Sequence, residues 1–193
     1  MRIEELTEQI ERTGPRAGTT RVVAIDGPAG SGKTRLAARL ALPLRAPVVH
    51  MDDLFPGWDG LDDGPRRLLE WVLEPLATGR AARYRRFDWV SDRYAEWVDV
   101  PGAGTLIVEG CGSGARSGAP YLSFLIWVEA PMATRMRRGI ERDGETFRPH
   151  WNRWAEQELI HFAAEGTAAR AHVRLDGAPT IAHDPELEVV PLR

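Results

Sequence analysis

Short apolar runs along the chain alternate with stretches in which apolar side chains recur every three or four residues. The apolar runs have the composition of buried strands and lie at 21–26, 48–51, 105–109, 124–128 and 173–175. The helical spacing predicts helices over 3–12, 34–44, 65–77, 131–142 and 147–165. Segments 83–89 and 96–100 have the pattern of short strands that can pair as a hairpin. The alternation predicts an α/β sandwich with a mostly parallel sheet and a ligand at the carboxyl ends of its strands.

Composition adds limits on cofactors and partners. The 193 residues fit a single domain, and 43% hydrophobic with 27% charged residues is ordinary for a globular protein. The one cysteine, Cys111, cannot form an intrachain disulfide, which favours a reducing, cytoplasmic setting. The apolar runs are too short for a signal peptide or a membrane span, so we expect no membrane partner. A net charge of −3, with arginines interspersed among acids, predicts no nucleic-acid partner, and no pattern indicates the oligomeric state.

The most specific pattern is a glycine-rich loop between the first predicted strand and a predicted helix. It satisfies the Walker A consensus G-x-x-x-x-G-K-[ST] with residues Gly27, Pro28, Ala29, Gly30, Ser31, Gly32, Lys33 and Thr34. Glycines let successive backbone N–H groups converge on phosphate oxygens, and the following helix directs its positive end at the same phosphates. In such loops the lysine reaches the β and γ phosphates and the threonine hydroxyl coordinates Mg²⁺. The loop therefore predicts binding of a nucleoside triphosphate with Mg²⁺.

Lysine usage supports this interpretation of the loop. The chain has 24 arginines but a single lysine, Lys33. A compositional bias toward arginine explains the imbalance, and under such a bias the remaining lysine marks a position where the planar guanidinium does not fit. The absence of other lysines also excludes the Asn-Lys-x-Asp motif with which GTPases recognise guanine. ATP is therefore the expected nucleotide.

Carboxylates follow two of the predicted strands. Glu109 ends the strand at 105–109 and can hold Mg²⁺ through water, or it can be a solvated loop residue. Asp52 and Asp53 follow the second strand, where a carboxylate facing the γ-phosphate can accept a proton from an acceptor hydroxyl. The alternative for these two aspartates is that they cap a turn.

An arginine-rich helix is the third candidate feature. Arg135, Arg138 and Arg142 share one face of the predicted helix, so they can cover the transferring phosphoryl group as a lid over residues 135–150. The alternative is a solvated helix face on which arginines pair with neighbouring acids, an arrangement that is common and weakly stabilising.

These motifs resemble those of the uridine kinase family, within the nucleoside and nucleotide kinase-like P-loop proteins. The resemblance extends from about Arg21 to Arg142 and includes the segments IDGPAGSGKT, MDDLF, YRRFDWVSD, IVEG and RMRRGIERD, in the family's order and at similar spacing. It implies a P-loop NTPase fold, a three-layer α/β/α sandwich, over a single domain of residues 1–193.

The resemblance also implies roles for individual residues. Asp52 matches the catalytic aspartate, Glu109 the metal-associated glutamate, and Arg135 and Arg138 the phosphate-facing arginines. Two positions depart from the family pattern, since Phe87 stands where the family has a substrate-contacting tyrosine and Asp92 where it has a base-contacting histidine. Kinase chemistry therefore transfers to this chain better than specificity for uridine does.

The sequence as a whole predicts an ATP-dependent kinase that phosphorylates a hydroxyl of a small molecule, for which a nucleoside such as uridine is one candidate. Two alternatives stay open: an ATP-binding regulatory protein without phosphotransfer, and a slow nucleotide hydrolase. The five histidines lack zinc-ligand spacing with Cys111, so we expect no structural zinc and a buried cysteine. Trp58, Trp89 and Trp97 flank the expected acceptor pocket, where they can stack on a planar substrate or pack in the core.

Overall fold

The computed structural model describes residues 1–144 and 148–192, without the side chains of Arg142 and Asp143. The strands are β1 (Arg21–Asp26), β2 (Val48–His50), β3 (Arg83–Asp88), β4 (Arg93–Asp99), β5 (Thr105–Glu109), β6 (Leu122–Glu129), β7 (Val173–Asp176) and β8 (Val190–Pro191). The α-helices are α1 (Ile3–Glu11), α2 (Lys33–Leu44), α3 (Asp63–Leu68), α4 (Glu74–Ala77), α5 (Met132–Asp143), α6 (Trp151–Glu165) and α7 (Thr167–Arg170). A π-helical turn (Leu69–Leu73) joins α3 to α4, and 3₁₀ turns lie at Met51–Asp53, Ala119–Tyr121 and Arg148–His150.

The main sheet has six strands in the order β2–β5–β1–β6–β7–β8. Its neighbouring strands are parallel except for the edge strand β8, which pairs antiparallel to β7. Strands β3 and β4 form a separate antiparallel hairpin. Since the parallel strands point the same way, the segments that follow β1, β2 and β5 meet at one edge of the sheet.

The central strands are buried because both faces of the sheet are covered. Along β1, Val22 and Ala24 belong to one apolar core, which includes Phe55, and Val23 and Ile25 belong to the core on the other face. This alternation is the two-residue period of a strand. The α/β/α sandwich with a mostly parallel sheet, predicted from the sequence, is confirmed.

Two predicted helices differ in detail from the structure. The helix expected at 65–77 contains the π-helical turn, and Pro75 explains the departure because it has no N–H to donate to the carbonyl oxygen of Trp71. The helix expected at 147–165 begins at Trp151, after a 3₁₀ turn that contains Pro149, and Phe147 lies outside the described residues. In the ranges 1–144 and 148–192, no helix combines the length and apolar character needed to cross a membrane.

Candidate functional site

The glycine-rich loop connects β1 to α2 in a backbone path that requires glycine. Gly27, Gly30 and Gly32 have φ values of 142°, 76° and 106°. A Cβ atom at Gly27 would lie 2.0 Å from the carbonyl oxygen of Val128, and one at Gly30 would lie 2.4 Å from that of Arg135. The loop therefore packs directly on the backbone of β6 and α5, which fixes its curvature.

Lys33 begins α2 and turns its side chain back into the loop. Its Nζ atom donates to the carbonyl oxygen of Pro28 at 2.9 Å and lies 3.7 Å from Sγ of Cys111. Burial acts to lower the pKa of this ammonium, but nearby carboxylates, including Glu109 and Glu158, raise it above its ordinary value. Lys33 therefore carries its positive charge at neutral pH although its residue is only 7% exposed.

Cys111 is buried, as the sequence predicted. Its thiol lies 3.3 Å from the carbonyl oxygen of Gly27 and 3.2 Å from Oε1 of Glu158. Burial raises the pKa of the thiol well above its ordinary value, so Cys111 is a neutral side chain against the loop.

A hydrogen-bonded group connects α2, β2 and β5 at the carboxyl edge of the sheet. The Thr34 hydroxyl donates to Oε1 of Glu109 at 3.1 Å, and Nδ1 of His50 lies 2.6 Å from the same oxygen. Burial acts to raise the pKa of Glu109, but His50, Lys33 and Thr34 lower it below its ordinary value. Glu109 is therefore an ionised carboxylate beside a hydroxyl, a pair of oxygen donors that Mg²⁺ accepts together with phosphates and water.

The two aspartates that follow β2 lie in the 3₁₀ turn Met51–Asp53. Asp52 is exposed and its carbonyl oxygen accepts the indole N–H of Trp89 at 2.9 Å. Asp53 is half-buried and its Oδ2 accepts the hydroxyl of Tyr84 at 3.1 Å. Burial raises the pKa of the Asp53 carboxyl. The two neighbouring carboxylates are therefore in different environments, one solvated and one partly withdrawn from water.

A cavity of about 1060 Å³ brings these groups together. Its lining includes the glycine-rich loop with Lys33 and Thr34, and also His50, Glu109 and the two aspartates. Five aromatic side chains also line it, and we call them the aromatic wall: Phe55, Trp58, Phe87, Trp89 and Trp154. The ring centroids of Trp58 and Trp89 lie 4.8 Å apart, and those of Phe87 and Trp89 lie 5.3 Å apart. The cavity therefore combines charged groups with an apolar aromatic surface.

Two arginines of α5, Arg135 and Arg138, contact the glycine-rich loop. Arg135 donates from Nη1 to the carbonyl oxygen of Ala29 at 3.2 Å, and its side chain is 12% exposed. Arg138 donates to the carbonyl oxygen of Gly177 at 3.0 Å and lines the cavity. The Arg142 side chain lies outside the described part of the chain, so its predicted contact with the nucleotide stays a prediction. The alternative, a solvated helix face on which arginines pair with acids, holds for Arg137, which is exposed and lies 3.8 Å from the exposed Glu141.

Some residues named from the sequence are not among the described residues that line the cavity: Gly27, Ser31, Arg135, Asp92 and Trp97. Asp92 is exposed in the turn of the β3–β4 hairpin at a φ of 50°, and Trp97 packs against Trp71 on the outer side of that hairpin. Neither is among the described side chains that line the cavity. The proposed contact of Asp92 with a base therefore has no support from its position, whereas Phe87 does line the cavity.

Sequence reasoning missed three residues at the site: His50, Asp26 and Glu158. Asp26, the last residue of β1, is fully buried and accepts backbone N–H groups from Gly27 at 2.7 Å, Gly112 at 2.9 Å and Gly114 at 2.9 Å. It thereby joins the glycine-rich loop to the segment after β5. Its position directly before the loop was the available signal, whereas nothing near Glu158 in the sequence indicates a contact with the loop.

Comparison with known proteins agrees with the observed fold. No protein-family model matches the chain, and no curated protein matches it. Among solved structures, a possible uridine kinase from Bacillus stearothermophilus is 22% identical, with 89% of this chain and 96% of that chain covered and a TM-score of 0.66. A putative fructose transport system kinase from Silicibacter sp. TM1040 is 26% identical, with 88% and 89% covered and a TM-score of 0.55.

Both structures have the parallel sheet and flanking helices of P-loop kinases. Their similarity covers most of this chain, since the aligned share is 88% or more. The resemblance drawn from the sequence motifs is therefore confirmed at the level of fold: the chain has a P-loop kinase-like fold.

Proposed function

We propose that this protein is an ATP-dependent kinase that transfers the γ-phosphoryl group to a hydroxyl of a small molecule. The observation that carries the proposal is the continuous cavity that joins the glycine-rich loop to Asp52 and the aromatic wall. A kinase needs both a phosphate-binding end and an acceptor end within one water-excluding space. A protein that only bound ATP would need the first end alone.

The phosphate end fits a nucleotide's phosphate groups in charge and in donors. Lys33 places a positive charge in the loop, and the helix α2 directs its positive end toward the same space. Arg138 lines the same end and adds a second positive charge.

Thr34 and Glu109 are the residues that would hold Mg²⁺. Mg²⁺ keeps several waters and takes one or two protein oxygens in addition to substrate phosphates, which matches this small donor set. When bound, the ion would neutralise negative charge that develops during phosphoryl transfer. His50 orients the Glu109 carboxylate through the bond to Oε1.

At the acceptor end, Asp52 is the residue proposed to take the proton from the attacking hydroxyl. It is a solvated carboxylate on the cavity surface, within electrostatic reach of His50, whose pKa it helps to raise. A base of this kind contributes to rate by removing the proton as the new oxygen–phosphorus bond forms.

The same end of the cavity restricts the charge of the acceptor. Three aspartates line this part of the cavity: Asp52, Asp53 and Asp88. Arg86 also lines it, but its guanidinium is paired with Glu96 at 2.7 Å. A phosphorylated or carboxylate acceptor would be repelled, so we propose an acceptor without a negative charge. The aromatic wall suits a planar ring, which is consistent with a nucleoside such as uridine.

Acceptor-dependent formation of ADP tests this proposal against the two alternatives. Purified protein with Mg²⁺-ATP is incubated with uridine, other nucleosides, sugars and nucleoside monophosphates, and ADP is measured together with the mass of each acceptor. The proposal expects ADP to rise with one uncharged acceptor, whose mass increases by one phosphoryl group. ADP release that no acceptor accelerates would indicate a hydrolase, and ATP binding without ADP release would indicate a regulatory protein.

A further inference from the structure

A buried carboxylate that is not among the residues lining the cavity contacts the glycine-rich loop from the side of α6. Glu158, in α6, is 3% exposed. Its Oε1 atom accepts the backbone N–H of Ala29 at 2.5 Å and the indole N–H of Trp154 at 3.0 Å, and the Cys111 thiol lies 3.2 Å from it. Its Oε2 atom lies 3.4 Å from Nη1 of Arg135. The carboxylate thus has a partner on each oxygen.

Two of these partners are groups that the sequence predicted to bind phosphate. A carboxylate oxygen and a phosphate oxygen are equivalent as charged acceptors for a backbone N–H or a guanidinium. The N–H of Ala29 belongs to the loop, and Arg135 is one of the two arginines predicted to face the phosphates. Both are occupied by Glu158, so a nucleotide that recruits either group must compete with it.

The charge of Glu158 also opposes that of a nucleotide. Glu158 is one of the carboxylates that raise the pKa of Lys33, so its charge acts on the loop's ammonium. Asp26 and Glu109 surround the same ammonium. An incoming polyphosphate therefore meets a loop whose positive charge is already partly neutralised from within the protein.

We propose that Glu158 is a positioning residue that acts as an internal substitute for phosphate. It holds Ala29 and Arg135 in the nucleotide-free loop and thereby weakens the binding of nucleotides. The inference rests on the proposed binding of a nucleoside triphosphate at this loop and is independent of whether the γ-phosphoryl group is transferred.

Calorimetric titration of a non-hydrolysable ATP analogue with Mg²⁺, and of ADP, tests the inference on the full chain. Glu158→Gln keeps an oxygen that can accept from Ala29 and Trp154 but removes the negative charge. We expect it to bind both nucleotides about tenfold more tightly, as removal of a partly screened charge a few ångströms away should do. A scaffold role would give the opposite sign, because any loosening of the loop weakens binding.

Glu165→Gln is the matched control. Glu165 ends the same helix and also accepts a backbone N–H, that of Arg116 at 2.5 Å, which lies outside the glycine-rich loop. Its substitution removes an equal charge and should leave nucleotide affinity unchanged. Equal tightening in both variants would mean that net charge, and not the position of Glu158, is responsible, which would overturn the inference.

A double-mutant cycle asks whether Glu158 acts through Arg135. The gain from Glu158→Gln should shrink in an Arg135→Gln background, because the contact that Glu158 competes for is then missing. If Glu158→Gln does not fold, Glu158→Asp, which keeps the charge, tests the contact alone: the shorter side chain should release the Ala29 N–H and tighten binding about threefold.

The outcomes separate this inference from the proposed function. Wild type that binds nucleotide, with a folded Glu158 variant that binds equally or more weakly, overturns the inference alone. Tighter binding by the variant without phosphotransfer to any acceptor supports the inference and contradicts the kinase proposal. Absence of nucleotide binding in the wild type and in every variant contradicts both.

Discussion

His50 and Glu109 are joined at 2.6 Å between Nδ1 and Oε1, and they come from strands that pair in the sheet. Glu109 is buried and the His50 side chain is 44% exposed, so the histidine closes the site on its solvent side. The Thr34 hydroxyl binds the same carboxylate oxygen. This arrangement makes the orientation of a proposed magnesium ligand depend on a residue outside every recognised motif.

Replacement of His50 by glutamine should raise the Mg²⁺ concentration that half-saturates ATP turnover by about tenfold. Partners that orient a metal-binding carboxylate or imidazole contribute to metal affinity by this order. The measurement is a Mg²⁺ titration of ADP formation at fixed ATP. His183→Gln is the control, since the His183 ring lies 2.9 Å from the carbonyl oxygen of Ile181 and outside the cavity. An unchanged Mg²⁺ requirement in His50→Gln would contradict the orienting role.

The His50–Glu109 contact should also give the metal-free protein a pH-dependent stability. The hydrogen bond to Glu109 raises the pKa of His50 above its ordinary 6.5. A base whose pKa is higher in the folded protein than in the unfolded chain stabilises the folded state. The contribution is fully present below the pKa of the unfolded chain and is lost as pH rises through the pKa of the folded protein. His50→Gln should therefore lower Tm more at pH 6 than at pH 9, and the two losses should differ by about 1–3 °C. A larger loss at pH 9 would mean that the ring acts in its neutral form.

The local chemistry of the site could be predicted from the sequence, but its tertiary contacts could not. The glycine-rich loop, Asp52 and Glu109 each directly follow a strand, so a parallel sheet brings them to one edge. His50 adjoins Asp52, yet its role depends on a partner 59 residues away. Glu158 contacts Ala29 across 129 residues, and no spacing in the sequence encodes how α6 docks on the loop.

The fold shows the same division between local and tertiary signals. The buried strands β1, β5 and β6 have continuous apolar runs, which is the pattern of strands covered on both faces, and they were predicted close to their observed limits. Strand β8 has two residues and is held by pairing with β7, so its local sequence carries little signal. The turn position of Asp92 likewise depends on the hairpin register, which the resemblance alone did not specify.

Asp53→Asn should stabilise the protein at neutral pH while it weakens acceptor binding. Burial raises the pKa of this carboxyl in the folded protein. Its ionised form therefore destabilises the folded state above that pKa, and the penalty vanishes below the pKa of the unfolded chain, near 4. Because Asp53 retains contact with water, the expected rise in Tm at pH 7 is small, about 1–3 °C, and it should shrink toward pH 4. Thermal melts at both pH values measure it, and a lower Tm at pH 7 would contradict the burial penalty.

Lys33→Ala should reduce turnover by about 10²-fold or more, because it removes a charge that stabilises the transferring phosphoryl group. Lys33→Arg should fail similarly, since the residue is 7% exposed and its Nζ atom fits against Pro28, where a planar guanidinium has no room. Initial rates of ADP formation and circular dichroism spectra of both variants make the check. Full activity in Lys33→Arg would show that the single lysine of the chain has no special function.

The central claim is phosphoryl transfer to a hydroxyl assisted by Asp52, and the most direct measurement follows the label from γ-³²P-ATP into a small-molecule product. Wild type should produce a labelled acceptor, and Asp52→Asn should bind ATP with unchanged affinity but transfer label about 10²–10⁴-fold more slowly. Asp99→Asn, an equivalent change on the exposed end of β4, should transfer label at the wild-type rate. Full transfer by Asp52→Asn, or label released by the wild type only as inorganic phosphate, would contradict the account.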